Sequence, residues 1–445
     1  MKCDQLLNRL DKEQTDLVMR SKDFLSARTT SISSPSDPDL YLNSWARVRG
    51  NARLRIIQNG IVEIPYYFMR LLADFRGYLI HDSWVPITER GFEKKYERII
   101  LSWGISTDID NNGVYQDRYF STSSAETPDT LWIVIYSENE SPKHLDENVV
   151  LIYRPRLTFH ESFLKFFKTL VNSLVKPSFL NDVCSEICTI VMQELYRDST
   201  IVKVILPYEA QPFQQTLFEH LKIEFPNVLG VGYLHSSPPP LPTDLIYRKG
   251  CPSKLFVHGC GVKEMLCEHL DWPQSSITVI DSLRYNRVNL KNFSNEILLP
   301  YSFENSDIIL KSLNILLKES LINDIISWNI RNHPIQHASK KHIELIKSIE
   351  SILDNSRNTN QVALPSKKQT VMIGATAAIL EALECGLEVI HIVSDPVYEA
   401  HTSSIWKYID VECLGEHLYL YRLKQTGKYI KKNNNGSHFS IIFDE

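Results

Sequence analysis

An α/β chain with two parallel sheets in series is what this sequence predicts. Three observations lead there. Short apolar runs alternate with helix-length segments from residue 98 onward. Polar residues suited to ligand chemistry cluster where those apolar runs stop. The pattern breaks near residues 287–296 and then restarts. Strands alternating with helices build parallel, doubly wound sheets, and a restart after a break implies a second one.

The totals agree with a globular protein. A chain of 445 residues, 43% hydrophobic and 23% charged, suits two or three domains. A net charge of −5 offers no basic face, so no nucleic-acid partner is expected. No apolar run reaches the length of a membrane span. The opening MKCDQLLNRLDKEQTD is polar and helical, without the apolar core of a signal peptide, so a cytoplasmic location is expected. Eight scattered cysteines suit a reducing compartment. Cys251, His258, Cys260, Cys267 and His269 cluster, but without the paired CxxC spacing of structural zinc sites. Cys184 and Cys188, one helical turn apart, read as core.

In chain order, residues 1–95 form an N-terminal extension, partly helical, with a polar linker TTSISSPSDPD. Residues 96–290 form the first Rossmann-like domain. Its strands are expected at 98–104, 131–137, 149–153, 201–206, 228–234, 244–247, 253–257 and 277–280. Helices are expected at 159–175, 178–197, 213–225 and 262–270. Residues 291–445 form the second domain, with strands at 296–300 and 324–330 and helices at 306–319 and 340–353. A helix around 403–409 and a hydrophobic segment at 418–423 close the chain.

Residues 371–396, VMIGATAAILEALECGLEVIHIVSDP, are the densest unit. A short apolar run leads into Gly374, Ala375 and Thr376, small residues that allow a sharp turn. Ala, Leu and Glu then form a helix over 377–385, Gly386 stops it, and 387–393 reads as a buried strand. Such a βαβ unit can seat a phosphate on its turn amides; the alternative is a turn that only packs the helix on the sheet.

Several side chains sit where chemistry is expected. Glu209 follows a strand and precedes a helix, so it can serve as a general base or cap that helix. Gln211 follows it. His235 ends the strand GVGYLHS beside Ser236 and can contact a substrate or be a satisfied structural histidine. Arg284 follows the strand ending at 280. Arg331 and His333, in Arg-Asn-His-Pro, can donate to phosphate oxygens. Glu381, on the helix after the turn, can accept from ribose hydroxyls or face solvent. Asp395 and Glu399 flank a strand-end loop, and His391 reads as core. No GxSxG elbow surrounds Ser236, and no GxxxxGK[ST] loop is present.

The order PYEAQPF, GVGYLHSS, DSLRY, RNHP and GATAAILEALECGLEVIHIVSDP resembles glycosyltransferases of the GT-B fold. The group is that of bacterial surface-carbohydrate synthesis, of the lipopolysaccharide O-antigen and capsule type, and YQDRYF at 115–120 resembles it too. A more distant likeness is to bacterial sialyltransferases using CMP-activated sugars. Glu209 would match their acidic motif, His333-Pro334 their HP motif and Ala375-Thr376 their hydroxyl pair. Tyr208, Ala210 and Ala375 depart from that pattern.

The resemblance implies two Rossmann-like domains facing a crevice and transfer of a sugar from a nucleotide sugar to a glycan or lipid-linked glycan. Glu209 and His235 would be catalytic. Arg331, His333, Gly374, Ala375, Thr376 and Glu381 would hold the donor and its phosphate. Gln211, Ser236, Arg284, Asp395 and Glu399 would line the crevice. No cofactor and no metal are expected, with Asp108-Ile-Asp110 read as a turn. Work at the cytoplasmic face of the inner membrane, with peripheral contact, is implied. The alternatives are a GT-B-like nucleotide-sugar epimerase or hydrolase, or a non-catalytic carbohydrate-assembly protein; fold alone does not separate these.

Overall fold

The computed structural model describes residues 3–28, 85–86, 94–153 (except 137, 139–141 and 143), 158, 160–164, 185–283, 294–300, 303, 305–318, 328–332, 340–357, 368–431 and 439–444. Most of the N-terminal extension after residue 28, its polar linker, most of the expected helix at 159–175, Arg284, His333 and Pro334 lie outside those residues.

The first sheet has eight strands. They are β1 (Val85–Pro86), β2 (Arg98–Gly104), β3 (Thr130–Tyr136), β4 (Val149–Tyr153), β5 (Lys203–Pro207), β6 (Leu229–Tyr233), β7 (Lys254–Val257) and β8 (Ile277–Val279). Their order is β1-β4-β3-β2-β5-β6-β7-β8, all parallel except the β1–β4 pair. Parallel strands are buried on both faces and need continuous apolar sequence. RIILSWG and TLWIVIY meet that need. Ile99 and Leu101 pack into the core on one face and Ile100 into the core on the other. Helices α2 (Ser185–Arg197), α3 (Pro212–Glu224) and α4 (Cys260–His269) lie between strands in sequence.

The strand order runs outward in two directions from β2 and β5. In an open sheet that reversal leaves a crevice at the carboxyl ends of the two strands. Trp103 and Gly104 close β2 and Glu209 follows β5, so these residues flank the opening.

The second sheet combines β9 (Glu296–Leu298), β10 (Asn329–Arg331), β11 (Gln369–Ile373), β12 (Glu388–Ile392), β13 (Ile409–Gly415) and β14 (Leu418–Leu423). Its order is β10-β9-β11-β12-β14-β13. The first four strands are parallel, and β14 and β13 add an antiparallel edge. Here the order reverses between β9 and β11, so the turn after Ile373 stands at the second switch point. Helices α5 (Ser306–Lys318), α6 (Lys340–Arg357), α7 (Ala378–Glu384) and α8 (Pro396–Glu399) complete this half.

Three expectations change. Residues 243–245 form a 3-10 turn rather than a strand, following the proline-rich PPPLP. Residues 403–409 form turns leading into β13, not a helix, because both Ile405 and Trp406 are drawn into the core. The segment 418–423 is a strand that pairs with β12 and β13, so the second sheet is mixed.

The two ends of the chain cross between the halves. Helix α1 (Cys3–Arg28) packs on the second half, where the fully buried Gln14 side chain donates to the carbonyls of Val397 (2.9 Å) and Ala400 (2.8 Å). Gln14 also accepts from Thr402 Oγ1 at 2.8 Å. Further along α1, Lys22 meets Asp271 of the first half at 2.8 Å. The last helix, α9 (Phe439–Asp444), returns to the first sheet, where the Lys203 ammonium donates to the Phe443 carbonyl at 2.7 Å. The link between them passes α4 so closely that a Cβ on Gly259 would stand 2.3 Å from the Lys428 carbonyl oxygen.

Trp406 Nε1 donates to the Pro240 carbonyl at 2.7 Å, and Lys407 pairs with Glu264 and Glu268. One apolar core therefore runs from Leu101 and Leu206 through Leu383 and Trp406. Replacing Gln14 by Leu removes the donor to the buried Ala400 carbonyl and the half-buried Val397 carbonyl, and is expected to destabilise the protein by about 2–4 kcal/mol. Urea unfolding of the full chain measures this; an unchanged midpoint would deny Gln14 its role.

Candidate functional site

The loop after β5 is built by one glutamine. Gln214, fully buried, accepts from the backbone N–H of Glu209 (3.0 Å) and of Gln211 (3.1 Å) and donates to the Pro207 carbonyl (2.8 Å). Pro212 at the first turn of α3 pre-sets the helical φ. Ala210 takes φ +55°, a left-handed conformation uncommon for a residue with a Cβ. Tyr208 points into the core, with its hydroxyl 3.5 Å from Cys251 Sγ. Glu209 is thereby turned outward.

Its carboxylate is held at both oxygens. Oε1 lies 3.2 Å from His235 Nε2, with the Glu209 side chain 43% exposed and the His235 ring 6% exposed. Oε2 accepts from Gln211 Nε2 at 2.8 Å. His235 Nδ1 is buried with no hydrogen-bond partner among the described residues. A proton there would be a buried donor with nothing to accept it. The tautomer that fits carries its proton on Nε2 and donates it to Glu209. The carboxylate so arranged is oriented, exposed to the crevice and able to accept a proton from a bound hydroxyl.

A second carboxylate, this one buried, shapes the neighbouring loop. Asp117 accepts from the Tyr115 hydroxyl (2.8 Å), from the backbone N–H of Tyr119 (2.7 Å) and Phe120 (2.6 Å), and from Ser102 Oγ. Burial pushes its pKa up, and those hydrogen bonds oppose the shift. Arg118, next in sequence, is held by both oxygens of Asp108 at 2.5 and 2.6 Å. This Asp108–Phe120 loop presents the Tyr119 ring edge-on to His235, with centroids 4.6 Å apart.

At the second switch point, Gly374 takes φ +69°, which favours glycine there. Its carbonyl is held by His391 Nε2 at 2.8 Å and its N–H donates to the Ile392 carbonyl at 2.8 Å. A trans peptide sets N–H opposite C=O, so the Ala375 N–H points away from His391. Thr376 Oγ1 accepts from the Ala378 N–H at 3.3 Å.

The other residues singled out in the sequence are spread around these two openings. Ser236 is half-buried beside His235. Glu381 is buried on α7 rather than facing solvent. Asp395 accepts from the Val397 N–H at 3.1 Å and caps α8, and Glu399 accepts from the Ser394 N–H at 2.7 Å. Both carboxylates shape the loop after β12. Arg331, half exposed at the end of β10, lies 3.4 Å from Glu296. His391 is fully buried, as core.

Glu209, Gln211 and His235 thus meet at the first opening, and Gly374–Thr376 stand at the second switch point, with Asp395 and Glu399 in the loop after β12. Gln214, Asp117, Trp103 and Tyr119 escaped sequence reasoning. The signal available for three of them was aromatic and acidic residues at the strand end RIILSWG and in YQDRYF.

Two parallel-dominated sheets with helices packed on them are the architecture of the GT-B-like class. No protein-family model and no curated protein matches the chain. Among solved structures it is similar to a glycosyltransferase from Rickettsia africae ESF-5, at 13% identity over 67% of this chain and 79% of that one, with a TM-score of 0.30. It is also similar to the trehalose-6-phosphate phosphatase N-terminal domain of Candida albicans, at 11% identity over 72% and 88%, again with a TM-score of 0.30. Likeness at that level says nothing of function. Among the described residues no helix is long and apolar enough to cross a membrane.

Proposed function

We propose that this protein is a glycosyltransferase moving a sugar from a nucleotide-sugar donor to a glycan or lipid-linked glycan acceptor. The observation that carries the reading is the Glu209 carboxylate, held by His235 and Gln211 at the switch point of the first sheet. A base in that position takes the proton of an acceptor hydroxyl as its oxygen attacks the anomeric carbon. The C–O bond to the donor phosphate breaks, and the phosphate leaves with the electron pair.

The turn at Gly374–Thr376 is the proposed phosphate seat, with the Ala375 N–H as its donor and Arg331 and His333 as the proposed cationic partners. The resemblance to surface-carbohydrate enzymes supports an O-antigen or capsule product and a cytoplasmic location, and the more distant likeness to sialyltransferases supports a CMP-activated donor. It also supports a reaction without metal.

A panel of CMP, UDP, GDP and dTDP sugars tests the reading by thermal shift. A ligand that binds only the native state at about 100 times its Kd stabilises it by roughly 2.7 kcal/mol, and one nucleotide class should raise the melting temperature clearly above the rest. No shift with any of them would remove the donor from the proposal. Product analysis with and without a glycan acceptor then distinguishes transfer from hydrolysis or epimerisation.

A further inference from the structure

The opening at the first switch point carries aromatic side chains that proton transfer does not need. Trp103 is the last but one residue of β2 and is only partly buried, unlike the four fully buried residues before it. Its ring meets Tyr119 at 5.9 Å and 65°, and Phe213 at 6.1 Å and 72°. Tyr119, also partly exposed, meets His235 at 4.6 Å and 79°. His235 in turn touches Glu209 at 3.2 Å. A line of rings therefore runs from Phe213 at the start of α3, through Trp103 and Tyr119, to the carboxylate. Phe213 is buried and backs the line from the core. The rings are held in place: Gln214 shapes the β5–α3 loop, and Asp117 fixes the backbone of Tyr119.

The charge beside these rings narrows what fits on them. Glu209 is negative and 43% exposed. Arg118, the cation closest in sequence to Tyr119, is already paired in bidentate fashion with Asp108. A nucleotide stacked here would bring phosphate toward an exposed carboxylate, which like-charge repulsion disfavours. A neutral sugar has no such conflict. Its C–H face is apolar and lies on an aromatic ring, while its hydroxyls find an acceptor in Glu209 and an amide in Gln211. Apolar walls with a few placed polar groups are the usual make-up of a small-molecule site.

We propose that Trp103 and Tyr119 form a platform for a neutral pyranose ring, the acceptor sugar, placing one of its hydroxyls on Glu209. The two rings meet at a steep angle, so they form a corner that takes one saccharide unit. The platform's use in transfer rests on the glycosyltransferase reading; its binding of a sugar does not.

Saturation-transfer NMR on the full chain separates the two. The probes are the methyl pyranosides of glucose, galactose, mannose and N-acetylglucosamine, with glucuronate as the anionic control and CMP, UMP and UDP as nucleotide controls. At least one neutral pyranoside should receive saturation from the wild-type protein. Trp103→Ala should lose that signal, glucuronate should bind more weakly, and nucleotide affinity should not change. With an active donor and acceptor, Trp103→Ala should raise the acceptor KM about tenfold, equivalent to about 1.4 kcal/mol, with kcat little changed. Tyr119→Leu provides the same test should Trp103→Ala fail to fold, each variant being checked by its melting temperature.

Loss of nucleotide affinity in these variants would overturn the proposal in favour of base stacking. A folded Trp103→Ala that binds pyranosides as the wild type does would overturn it too, as would a wild-type protein that binds none of them at millimolar concentration. Sugar binding that depends on Trp103, with no nucleotide-sugar binding anywhere, would uphold the platform and end the transferase reading.

Discussion

Replacing Glu209 by Gln is expected to lower the rate of sugar transfer by about 10²–10⁴, the usual contribution of a positioned general base. The amide keeps the size of the carboxylate, its oxygen still accepts from His235, and its NH2 meets Gln211 once that side-chain amide turns its oxygen inward, so the loop shaped by Gln214 should keep its form. What it loses is the ability to take a proton. Nucleotide affinity should therefore stay near the wild-type value, because the proposed phosphate seat lies on the other sheet. Single-turnover transfer with a radiolabelled donor, alongside a nucleotide Kd, reads both. Transfer within about threefold of wild type would take the role of base away from Glu209.

Acid should destabilise the second half through two buried histidines. His391 is fully enclosed in β12, and burial lowers its pKa to about 4 from an ordinary value of 6.5. His401 is also held well below its ordinary value, by burial first and by the nearby His391 second. Its ring lies between Trp406 and Tyr421, and neither ring nitrogen has a hydrogen-bond partner among the described residues.

Both groups bind protons more readily in the unfolded chain, so stability must fall as pH falls. The stability is intact above about pH 6.5 and is lost progressively down to the native pKa. For His391 alone the loss by about pH 4 is roughly 3 kcal/mol, at 1.36 kcal/mol per unit. His401→Phe keeps an aromatic ring in the same slot and removes one of the two titrations, so its unfolding midpoint in urea should depend less on pH between 7.5 and 5, roughly the upper part of that window. Parallel wild-type and variant curves would show that His401 is not the group responsible. Protonation of His391 leaves its bond to the Gly374 carbonyl in place but puts a hydrogen on Nδ1, which in the neutral ring accepts from the Tyr421 hydroxyl at 3.1 Å.

Most of the parallel strands and their helices are legible in the sequence. A strand covered on both faces must be apolar along its whole length, and RIILSWG, LWIVIYS and LEVIHIV announce that plainly. The sequence also placed Glu209 and His235 at strand ends, because a strand stops where polar residues begin. Residues 403–409 carry Ile405 and Tyr408 three apart, a spacing that suits a helix face, while the pull on Trp406 comes from Pro240, far away in the chain.

Strand order comes from long-range packing. The reversal between β2 and β5 sets Trp103 beside the Glu209 loop, and that between β9 and β11 sets the Gly374 turn beside Pro300, whose Cβ would stand 3.1 Å from a Cβ on Gly374. Local sequence encodes the period of each strand and the chemistry at its end. Which strand lies next to it depends on packing between segments remote in sequence, and that packing brings the rings, the histidine and the carboxylate to one opening.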